Sequence, residues 1–368
     1  MDLHLAYQRT AALETSLAAW DQLIADEPAP VLHRWTRLAA WPAARSATVA
    51  ASTAVEGNQL TPSQVDDVLG GMAVDGRPAD IRDVQNYNRA LDLANRVALR
   101  EDFEWSEELI RRLNATVIDG LDDDERGEYR RAPVTVGGVY EPPDHRWVPG
   151  LMRELVSWLN NTAGEHLLIA AGIAHLNVVS IHPWLNGIGR TSRVVGSLAL
   201  MRGGIAAPEL VNVESVIRAN PAAYVAALQA SHGSTYLPDR HSATPWLEYF
   251  AGIAVDRLDL RTRLLEAIRS DIGFLTMELD RARMPVDWAP VIIAARNMSI
   301  RAADVSEMLG LSASRSRAIL AGCVQAGWLL AIGETRGRRY EAGPRLTALA
   351  LHSVDVVDRL RRGISIHS

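Results

Sequence analysis

The sequence predicts a mainly α-helical protein with one short β-hairpin near its middle and a winged helix-turn-helix domain at its carboxyl end. Three observations lead to this prediction. Apolar residues recur at helical spacing through most of the 368 residues. A β-prone segment, Val134–Val136, runs into Gly137-Gly138, a favoured two-residue turn. Residues 287–368 change to three short helical patterns followed by two β-prone segments.

Helical patterns fill the amino-terminal part, and glycine or proline marks their ends. We predict helices at residues 1–24, 31–41, 43–55, 62–69, 81–99 and 105–119. Residues 26–30 form the turn after the first helix, and residues 75–78 form a loop. The acidic segment 122–125 is interpreted as a solvated loop rather than a metal site.

Further helices are predicted at residues 149–161, 170–179, 191–201, 208–228 and 245–278. Residues 181–193, Ile-His-Pro-Trp-Leu-Asn-Gly-Ile-Gly-Arg-Thr-Ser-Arg, lie between two of these apolar patterns and carry the strongest chemical signal. Gly187 and Gly189 permit a tight turn and a close approach of the backbone to a ligand. The amides that open the next helix attract an anion, so this turn is a candidate phosphate site.

Three side chains beside this turn suit a nucleotide phosphate. Arg190 and Arg193 are three residues apart on one helical face and can offer forked donors to phosphate oxygens. His182 precedes the turn, where an imidazole can take a proton from an attacking hydroxyl. The alternative for His182 alone is a helix cap or a packed core residue.

Together these residues resemble the signature of the Fic family (filamentation induced by cyclic AMP), His-Pro-Phe-x-Asp/Glu-Gly-Asn-Gly-Arg-x-x-Arg, with Trp184 in place of Phe. The resemblance implies a Fic helical core that moves AMP from ATP onto a protein hydroxyl. It implies that His182 is the general base and that Arg190 and Arg193 neutralise the leaving pyrophosphate. It assigns phosphate binding to the backbone of Gly187, Ile188 and Gly189.

A second segment, residues 52–58 with the sequence Ser-Thr-Ala-Val-Glu-Gly-Asn, resembles the family's inhibitory motif. The resemblance implies that Glu56 pairs with Arg193 and keeps ATP from binding productively, because a carboxylate occupies the guanidinium that a phosphate needs. We therefore assign an inhibitory role to Ser52, Glu56 and Gly57. The alternative is that Glu56 is a solvated acid near a helix end.

The hairpin resembles the Fic flap, which holds the target segment by strand addition. The alternative is a surface hairpin that only packs. The predicted target-docking residues are Val134, Thr135, Val136, Gly137, Gly138 and Val139. Tyr224 occupies the position of an aromatic that contacts the nucleotide base or ribose in relatives, but it could equally be a core residue.

Two departures from the family pattern change the expected chemistry. Asn186 replaces the acid that holds Mg²⁺ (or Mn²⁺), so the metal should bind more weakly. Ile188 replaces an asparagine at the phosphate turn, which removes a side-chain donor. They favour a weakened adenylyltransferase. The alternatives are a non-catalytic nucleotide-binding regulator and a transferase that uses another phosphate-containing donor.

The carboxyl-terminal patterns predict helices at residues 291–296, 302–309 and 313–326, then strands at 328–332 and 339–341. Between Arg296 and Arg345, eight arginines face four acidic residues, whereas the whole chain has a net charge of −6. This local positive charge predicts DNA contact, with protein docking as the alternative. The candidate DNA-contacting residues are Arg315, Arg317, Arg336, Arg338 and Arg339.

The composition predicts a cytoplasmic protein without a membrane partner. No apolar run is long enough to span a bilayer, no export signal opens the chain, and the one cysteine, Cys323, cannot form an internal disulfide. The expected partners are ATP, an unidentified protein target or the protein itself, a second copy in a homodimer, and DNA. The predicted domains are 1–100 with the inhibitory motif, 101–255 as the Fic core, 256–286 as a connecting helix, and 287–368 as the winged helix with a final helix.

Overall fold

The computed structural model describes residues 2–26, 33–121, 126–162, 164–205, 211–297, 299–334 and 338–364, and within these ranges it leaves out the side chains of residues 33–39 and 308. The predicted mainly helical fold is confirmed. The helices are α1 (Ala11–Ala25), α2 (His33–Val55), α3 (Pro62–Leu69), α4 (Pro78–Ala98), α5 (Glu107–Val117), α6 (Val148–Asn160), α7 (Leu167–Ile181), α8 (Ile188–Arg202), α9 (Val213–Ala219), α10 (Pro221–His232), α11 (Thr244–Arg281), α12 (Ala289–Asn297), α13 (Ala302–Leu309), α14 (Ala313–Gln325), α15 (Pro344–Thr347) and α16 (His352–Arg362). The strands are β1 (Leu329–Ile332) and β2 (Arg339–Ala342).

Helix α7 is the centre of the larger hydrophobic core. Nearly all of its residues are buried, as expected for a helix that is apolar on every side. It packs against α6, α8 and α11, which surround it with buried aliphatic and aromatic side chains. The carboxyl end of α7 and the amino end of α8 are therefore fixed in space by the best-packed part of the molecule.

The first helix is shorter than the predicted 1–24. Helix α1 begins at Ala11, because Thr10 caps it by accepting a hydrogen bond from the amide of Leu13. The preceding residues are bound elsewhere: the amide of His4 donates to Asn177 Oδ1 at 2.9 Å. Of the predicted turn 26–30, only Asp26 is among the described residues, and it caps the end of α1.

The two helices predicted at 31–41 and 43–55 form one helix, α2, which continues through Pro42. Residues 31 and 32 lie outside the described residues. A proline inside a helix removes one hydrogen bond and normally favours a break. Here Ala40, Ala43 and Ala44 beside it are fully buried in the carboxyl-terminal hydrophobic cluster, and this packing favours one continuous helix.

The opposite error occurs at 208–228, which was predicted as one helix but divides into α9 and α10. Asn220 ends α9 and caps α10 by accepting from the amide of Ala223, and Pro221 is the first residue of α10. Proline is favoured at that position because it needs no amide donor there. Residues 208–210 of the predicted helix lie outside the described residues.

The predicted hairpin is reduced to a single β-bridge between Val136 and Tyr140. Gly137 and Gly138 both have positive φ, as the predicted turn requires. Glu141 then forms a second bridge with Thr235. The returning segment is therefore paired with the region after α10 rather than with a long first strand.

The carboxyl-terminal region has its own hydrophobic cluster. Helices α12, α13 and α14 precede β1 and β2, which pair antiparallel with Leu329 opposite Ala342. This order is the one predicted for a winged helix, and the assignment to that fold remains a prediction. The cluster also contains Ala40, Ala43 and Ala44 of α2 and several leucines of α11. These two helices are thus shared by both cores, and the predicted domain borders remain predictions.

Within the described ranges, no helix combines the length and the apolar character needed to cross a membrane. Cys323 is fully buried in the carboxyl-terminal cluster, and burial raises the pKa of its thiol to about 12. The acidic segment 122–125, predicted as a solvated loop, lies outside the described residues.

We expect His4→Phe to make the stability of the protein less sensitive to acid. His4 is buried, and neither ring nitrogen has a hydrogen-bond partner among the described residues. Burial, with the charges of His232 and His241, lowers the pKa of His4 to about 4. Because the folded pKa lies below the unfolded value of about 6.5, the stabilising contribution of neutral His4 is complete above that value and is lost as the pH falls towards 4.

The measurement is the thermal unfolding temperature of the parent and the variant at about pH 7.5 and about pH 5. The drop between the two should be smaller for His4→Phe than for the parent. An equal drop in His4→Phe and the parent would contradict the buried, neutral state of His4.

Candidate nucleotide-phosphate site

The turn between α7 and α8 brings the signature residues together. His182 follows the last residue of α7 and has a left-handed backbone, with φ 50° and ψ 60°. Gly187 caps α8, also with positive φ, and α8 begins at Ile188. A left-handed conformation is uncommon for a residue with a side chain, so the surrounding structure must hold His182 in place. The fully buried Trp184 anchors the turn between these two residues.

The first turn of α8 directs backbone amides out of the helix end, where they attract an anion. Gly189 in this turn is closely packed by Glu56 and Arg193. A Cβ atom at Gly189 would lie 2.3 Å from Glu56 Oε1 and 3.2 Å from Arg193 Nη1. Only glycine fits there while Glu56 and Arg193 keep these positions.

Arg193 is buried and is held by the end of α2. Its Nε donates to Ser52 Oγ at 2.7 Å, and its Nη2 donates to Ser52 O at 3.0 Å and to Glu56 Oε1 at 2.8 Å. The Arg193 side chain is 1% exposed and that of Glu56 is 31% exposed. Gly57 then ends the segment with φ 90°. The pairing of Glu56 with Arg193 is present, and its inhibitory meaning remains a proposal.

The charges of this pair stabilise each other. Burial alone would raise the pKa of Glu56, but the neighbouring Arg193 outweighs burial and holds the pKa below its usual value. Burial likewise acts to lower the pKa of Arg193, and Glu56 reverses the effect, so that pKa is raised. Both groups are therefore ionised at neutral pH, which is the state that forms the charge-assisted hydrogen bond.

Arg190 has a second acidic partner. Its Nη1 donates to Asp83 Oδ1 on α4, and both side chains are about 88% buried, with 12% and 11% of their surface exposed. Asp83 Oδ2 also accepts from Asn58 Nδ2 at 3.0 Å. Helix α8 is thus joined to the Glu56 segment by the Glu56–Arg193 pair and to α4 by the Asp83–Arg190 pair, and Asn58 links the Glu56 segment to Asp83.

His182 is partly buried and its ring orientation suits a base. Nδ1 lies 3.4 Å from the carbonyl oxygen of Val179, a long contact in which the ring nitrogen must be the donor. That tautomer leaves the lone pair on Nε2. Burial lowers the pKa of His182 to about 4; Arg130 and His232 also lower it, and Glu56 raises it. The imidazole is neutral at pH 7.

Asn186, the predicted metal ligand, is exposed at the turn, and its backbone carbonyl accepts from Asn114 Nδ2 at 3.0 Å. The residues described include no group of three or more His, Cys, Asp or Glu side chains that could hold a metal. Glu56 and Asp83, the acids beside the turn, are already paired with arginines. The described donors beside this turn therefore do not fit a Mg²⁺ ion held by protein side chains alone.

The structure corrects the interpretation of Ile188. Its side chain is 7% exposed and belongs to the main hydrophobic core, so it packs inward rather than standing beside a phosphate. Its backbone amide remains at the start of α8. An asparagine there would bury a polar group that needs a partner.

Tyr224 is a core residue in this structure. It is buried, its ring packs edge-on against Trp246, and its hydroxyl lies 3.0 Å from His175 Nε2. This position, next to Arg193 in the interior, does not favour the predicted contact with a base or ribose.

Most of the predicted docking segment faces solvent. Thr135, Gly137, Gly138 and Val139 are exposed, and Val134 and Val136 are half-buried. The base of the segment is fixed, because Tyr140 donates its hydroxyl hydrogen to Ser180 O at 2.8 Å. Target docking by this edge remains a prediction.

The arginines predicted to contact DNA differ in availability. Arg315, Arg317 and Arg338 are exposed. Arg339 is bound within the molecule, where it forms ion pairs with Asp67 and, at 3.0 Å, with Glu341, so it is a poor candidate for DNA contact. Arg336 lies outside the described residues.

Sequence reasoning missed the roles of Asp83, Asn114 and Arg130. Each is a polar residue in a segment without a repeated motif, and each reaches its partner only through the tertiary fold. Arg130 gave the only signal that could have been used, because it closes the Gly-Glu-Tyr-Arg sequence that precedes the flap. Its contacts are described below.

A model described as Fic/DOC family matches residues 104–200. This span contains the flap and the signature turn, whereas Ser52 and Glu56 lie before it. The chain is 36% identical over 159 residues to the Protein adenylyltransferase Fic of Drosophila grimshawi, an alignment that covers 42% of this chain and 32% of that protein. The chain thus spans about a third of the length of the curated relatives it matches.

Solved structures resemble a larger part of the chain. A Fic family protein from Desulfovibrio desulfuricans is 26% identical with a TM-score of 0.59, and the match covers 92% of this chain and 98% of that one. A Fic domain containing signaling protein from Bacteroides thetaiotaomicron is 22% identical with a TM-score of 0.53, covering 70% and 98%, and supports the fold alone.

The fold and the site define a helical protein that presents the amino end of a buried helix, a histidine and two arginines at one turn. The family model, the relatives and the solved structures together support a Fic domain within this chain, at residues 104–200.

We expect Gly187→Ala to destabilise the protein more than Gly204→Ala. Both glycines have positive φ, which costs about 1–2 kcal/mol for a residue with a side chain. A Cβ at Gly187 would also lie 2.6 Å from Ile118 Cγ2, whereas nothing lies within 4 Å of a Cβ at Gly204. Overpacking should add about 1–3 kcal/mol at Gly187 only. Urea unfolding of both variants checks this, and equal losses would contradict the packing described for the turn.

Proposed function

We propose that this protein transfers AMP from ATP to a hydroxyl group of a protein, either a separate target or the protein itself. The observation that carries the proposal is the pairing of Glu56 with Arg193 beside the first turn of α8, next to a neutral His182. The relatives named protein adenylyltransferase Fic support the same reaction.

In the proposed reaction, the hydroxyl oxygen of the target attacks the α-phosphorus of ATP. A new P–O bond forms, the bond to the pyrophosphate oxygen breaks, and pyrophosphate leaves with the electron pair. His182 Nε2, which carries the lone pair, takes the hydroxyl proton. A neutral imidazole in a partly buried place suits this role, because it is ready to accept a proton at pH 7.

The phosphates are assigned to the amino end of α8. The backbone amides of Gly187, Ile188 and Gly189 and the charges of Arg190 and Arg193 would stabilise the negative charge that develops on pyrophosphate. Arg193 Nη1 supports this assignment, since it is buried and has no hydrogen-bond partner in the described parts of the chain. It lies beside Gly189, where an anion would bind.

Glu56 makes the resting state inhibited in this proposal. Its carboxylate holds Arg193 and occupies the space in front of Gly189. A triphosphate would have to bind beside a negative charge and without the full use of that arginine. Replacing Glu56 should therefore release the site.

No step is assigned to a metal ion held by the protein, since the donors at the turn do not fit one. Asn186 can offer only an uncharged oxygen to a cation that accompanies the nucleotide. The flap residues 134–139 are assigned to the target, which would pair with their exposed edge.

We expect Glu56→Gly to raise self-labelling by about tenfold or more, because the charge-assisted hydrogen bond that it removes is worth about 1.5–3 kcal/mol. The measurement is incorporation of label from ATP labelled at the α-phosphate. Glu56→Gln, which keeps the shape and loses the charge, should fall between Glu56→Gly and the parent. His182→Ala in the Glu56→Gly background should abolish labelling.

Three other results would redirect the proposal. Equal labelling with and without Glu56 would contradict autoinhibition. Tight ATP binding by Glu56→Gly without any labelling would favour the nucleotide-binding regulator. Labelling by another phosphate-containing donor in preference to ATP would favour the third alternative.

The rate of transfer by Glu56→Gly should stay nearly constant as the pH is lowered from about 7.5 to about 5.5, whereas an unperturbed histidine would lose its base form near pH 6.5. The reason is that burial lowers the pKa of His182 to about 4, and removal of Glu56 removes the one carboxylate that raises it. Initial rates across this range, with unfolding temperatures as the control for stability, check the expectation. An inflection near pH 6.5 would contradict it.

A further inference from the structure

We propose that Arg130 is a positioning residue that joins the flap to the base of the reaction, because its one buried guanidinium holds the backbone of His182 and both ends of the flap segment. Arg130 is 2% exposed. The roles assigned to the phosphate turn and to nucleotide binding do not account for a buried charge at this position. The inference rests on the proposed function for its kinetic consequence, but the structural coupling can be measured without it.

The first part of the contact fixes the start of the signature. Arg130 Nε donates to the carbonyl oxygen of His182 at 2.8 Å, and the backbone amide of Arg130 donates to Pro183 O at 2.9 Å. These are the two consecutive carbonyls that follow the left-handed turn at His182. Since a left-handed backbone costs free energy for a residue with a side chain, bonds to the carbonyls on its far side hold His182 in this conformation.

The second part of the contact fixes the flap. Arg130 Nη1 donates to Ala132 O at 3.0 Å, and Nη2 donates to Pro143 O. Ala132 and Pro143 stand just before and just after the exposed segment 134–139. One side chain therefore determines where the flap leaves the body of the protein and where it returns.

Arginine is suited to this position and lysine is not. The guanidinium is planar and carries donors in three directions, so it can reach three carbonyl oxygens at once. All three of its nitrogens are used in this way. Burial lowers the pKa of Arg130, yet the group has no need to lose its proton because each nitrogen donates to an oxygen. A lysine would supply one nitrogen and leave carbonyl oxygens unpaired.

The consequence is geometric. The flap ends would set the position of the hydroxyl of a target strand bound to the flap. The Arg130 guanidinium holds both flap ends and the backbone of His182, so it would also set the distance between that hydroxyl and His182 Nε2. Replacing the Arg130 guanidinium should loosen the flap and the His182 turn together. It should leave the positions of Arg190 and Arg193 unchanged.

The experiment compares Arg130→Lys with Arg131→Lys, its exposed neighbour, in full-length Glu56→Gly protein. Hydrogen–deuterium exchange of peptides covering residues 132–143 and 179–187 is the first measurement. The affinity for an ATP analogue that cannot be cleaved after the α-phosphate is the second, and kcat and KM for labelling are the third. Circular dichroism checks folding, and neutral Arg130→Gln is the second variant if lysine prevents folding.

We expect faster exchange in both peptides of Arg130→Lys, analogue affinity within about twofold of the parent, and kcat lowered by about tenfold or more, since misplacement of a reacting group acts on the chemical step. Arg131→Lys should match the parent in all three. Faster exchange in one peptide only, or in neither, would overturn the proposal, and so would a loss of analogue affinity as large as the loss of kcat. Complete absence of labelling in the parent Glu56→Gly protein would count against the proposed function, while the exchange results would still decide the role of Arg130.

Discussion

The buried charge of Arg193 is the constraint on which the site depends. An isolated charge cannot be buried cheaply, so the chain must supply partners for it in the interior. Ser52 in the last turn of α2 and Glu56 just after the helix supply them, and this requirement fixes the end of α2 against the start of α8. The contact that lets the arginine be buried is also the contact to which the proposed function assigns inhibition. Stability of the resting state and restraint of the proposed reaction therefore have one physical origin.

The rest of the site is arranged by two packed helices and by polar residues that bind backbone groups. Helices α7 and α8 place His182 and the phosphate turn at fixed positions because both are deeply buried. Asn114 on α5 donates to the carbonyl oxygen of Asn186. Arg130, which precedes the flap, donates to the carbonyl oxygens of His182 and Pro183, so the turn is held from two sides. His182 and the turn that follows it are thus positioned mainly by hydrogen bonds to their backbone, whereas Arg190 and Arg193 are held through their side chains.

The local parts of this arrangement could be predicted from the sequence, because the signature turn depends on residues that are neighbours along the chain. Asp83 and Arg130 could not, since their partners lie 107 and 52 residues away. Pro42 and Ile188 misled in a related way. The helix break expected at Pro42 and the exposed position expected for Ile188 were both inferred from neighbouring residues in the sequence. In the structure, tertiary packing carries α2 through Pro42 and turns the Ile188 side chain into the core. The Fic resemblance linked Glu56 to Arg193, which physical reasoning on either segment alone would not have done.

Helix α2 has one end in each of the two hydrophobic clusters. Its alanines at 40, 43 and 44 are buried among the carboxyl-terminal helices, and its other end carries Ser52 and Glu56. A chain shortened before α12 would leave that alanine face in water and remove the packing that carries the helix through Pro42. Such a fragment would therefore hold Ser52 and Glu56 less firmly than the 368-residue chain does, and the restraint assigned to Glu56 in the proposed function would depend on the carboxyl-terminal helices.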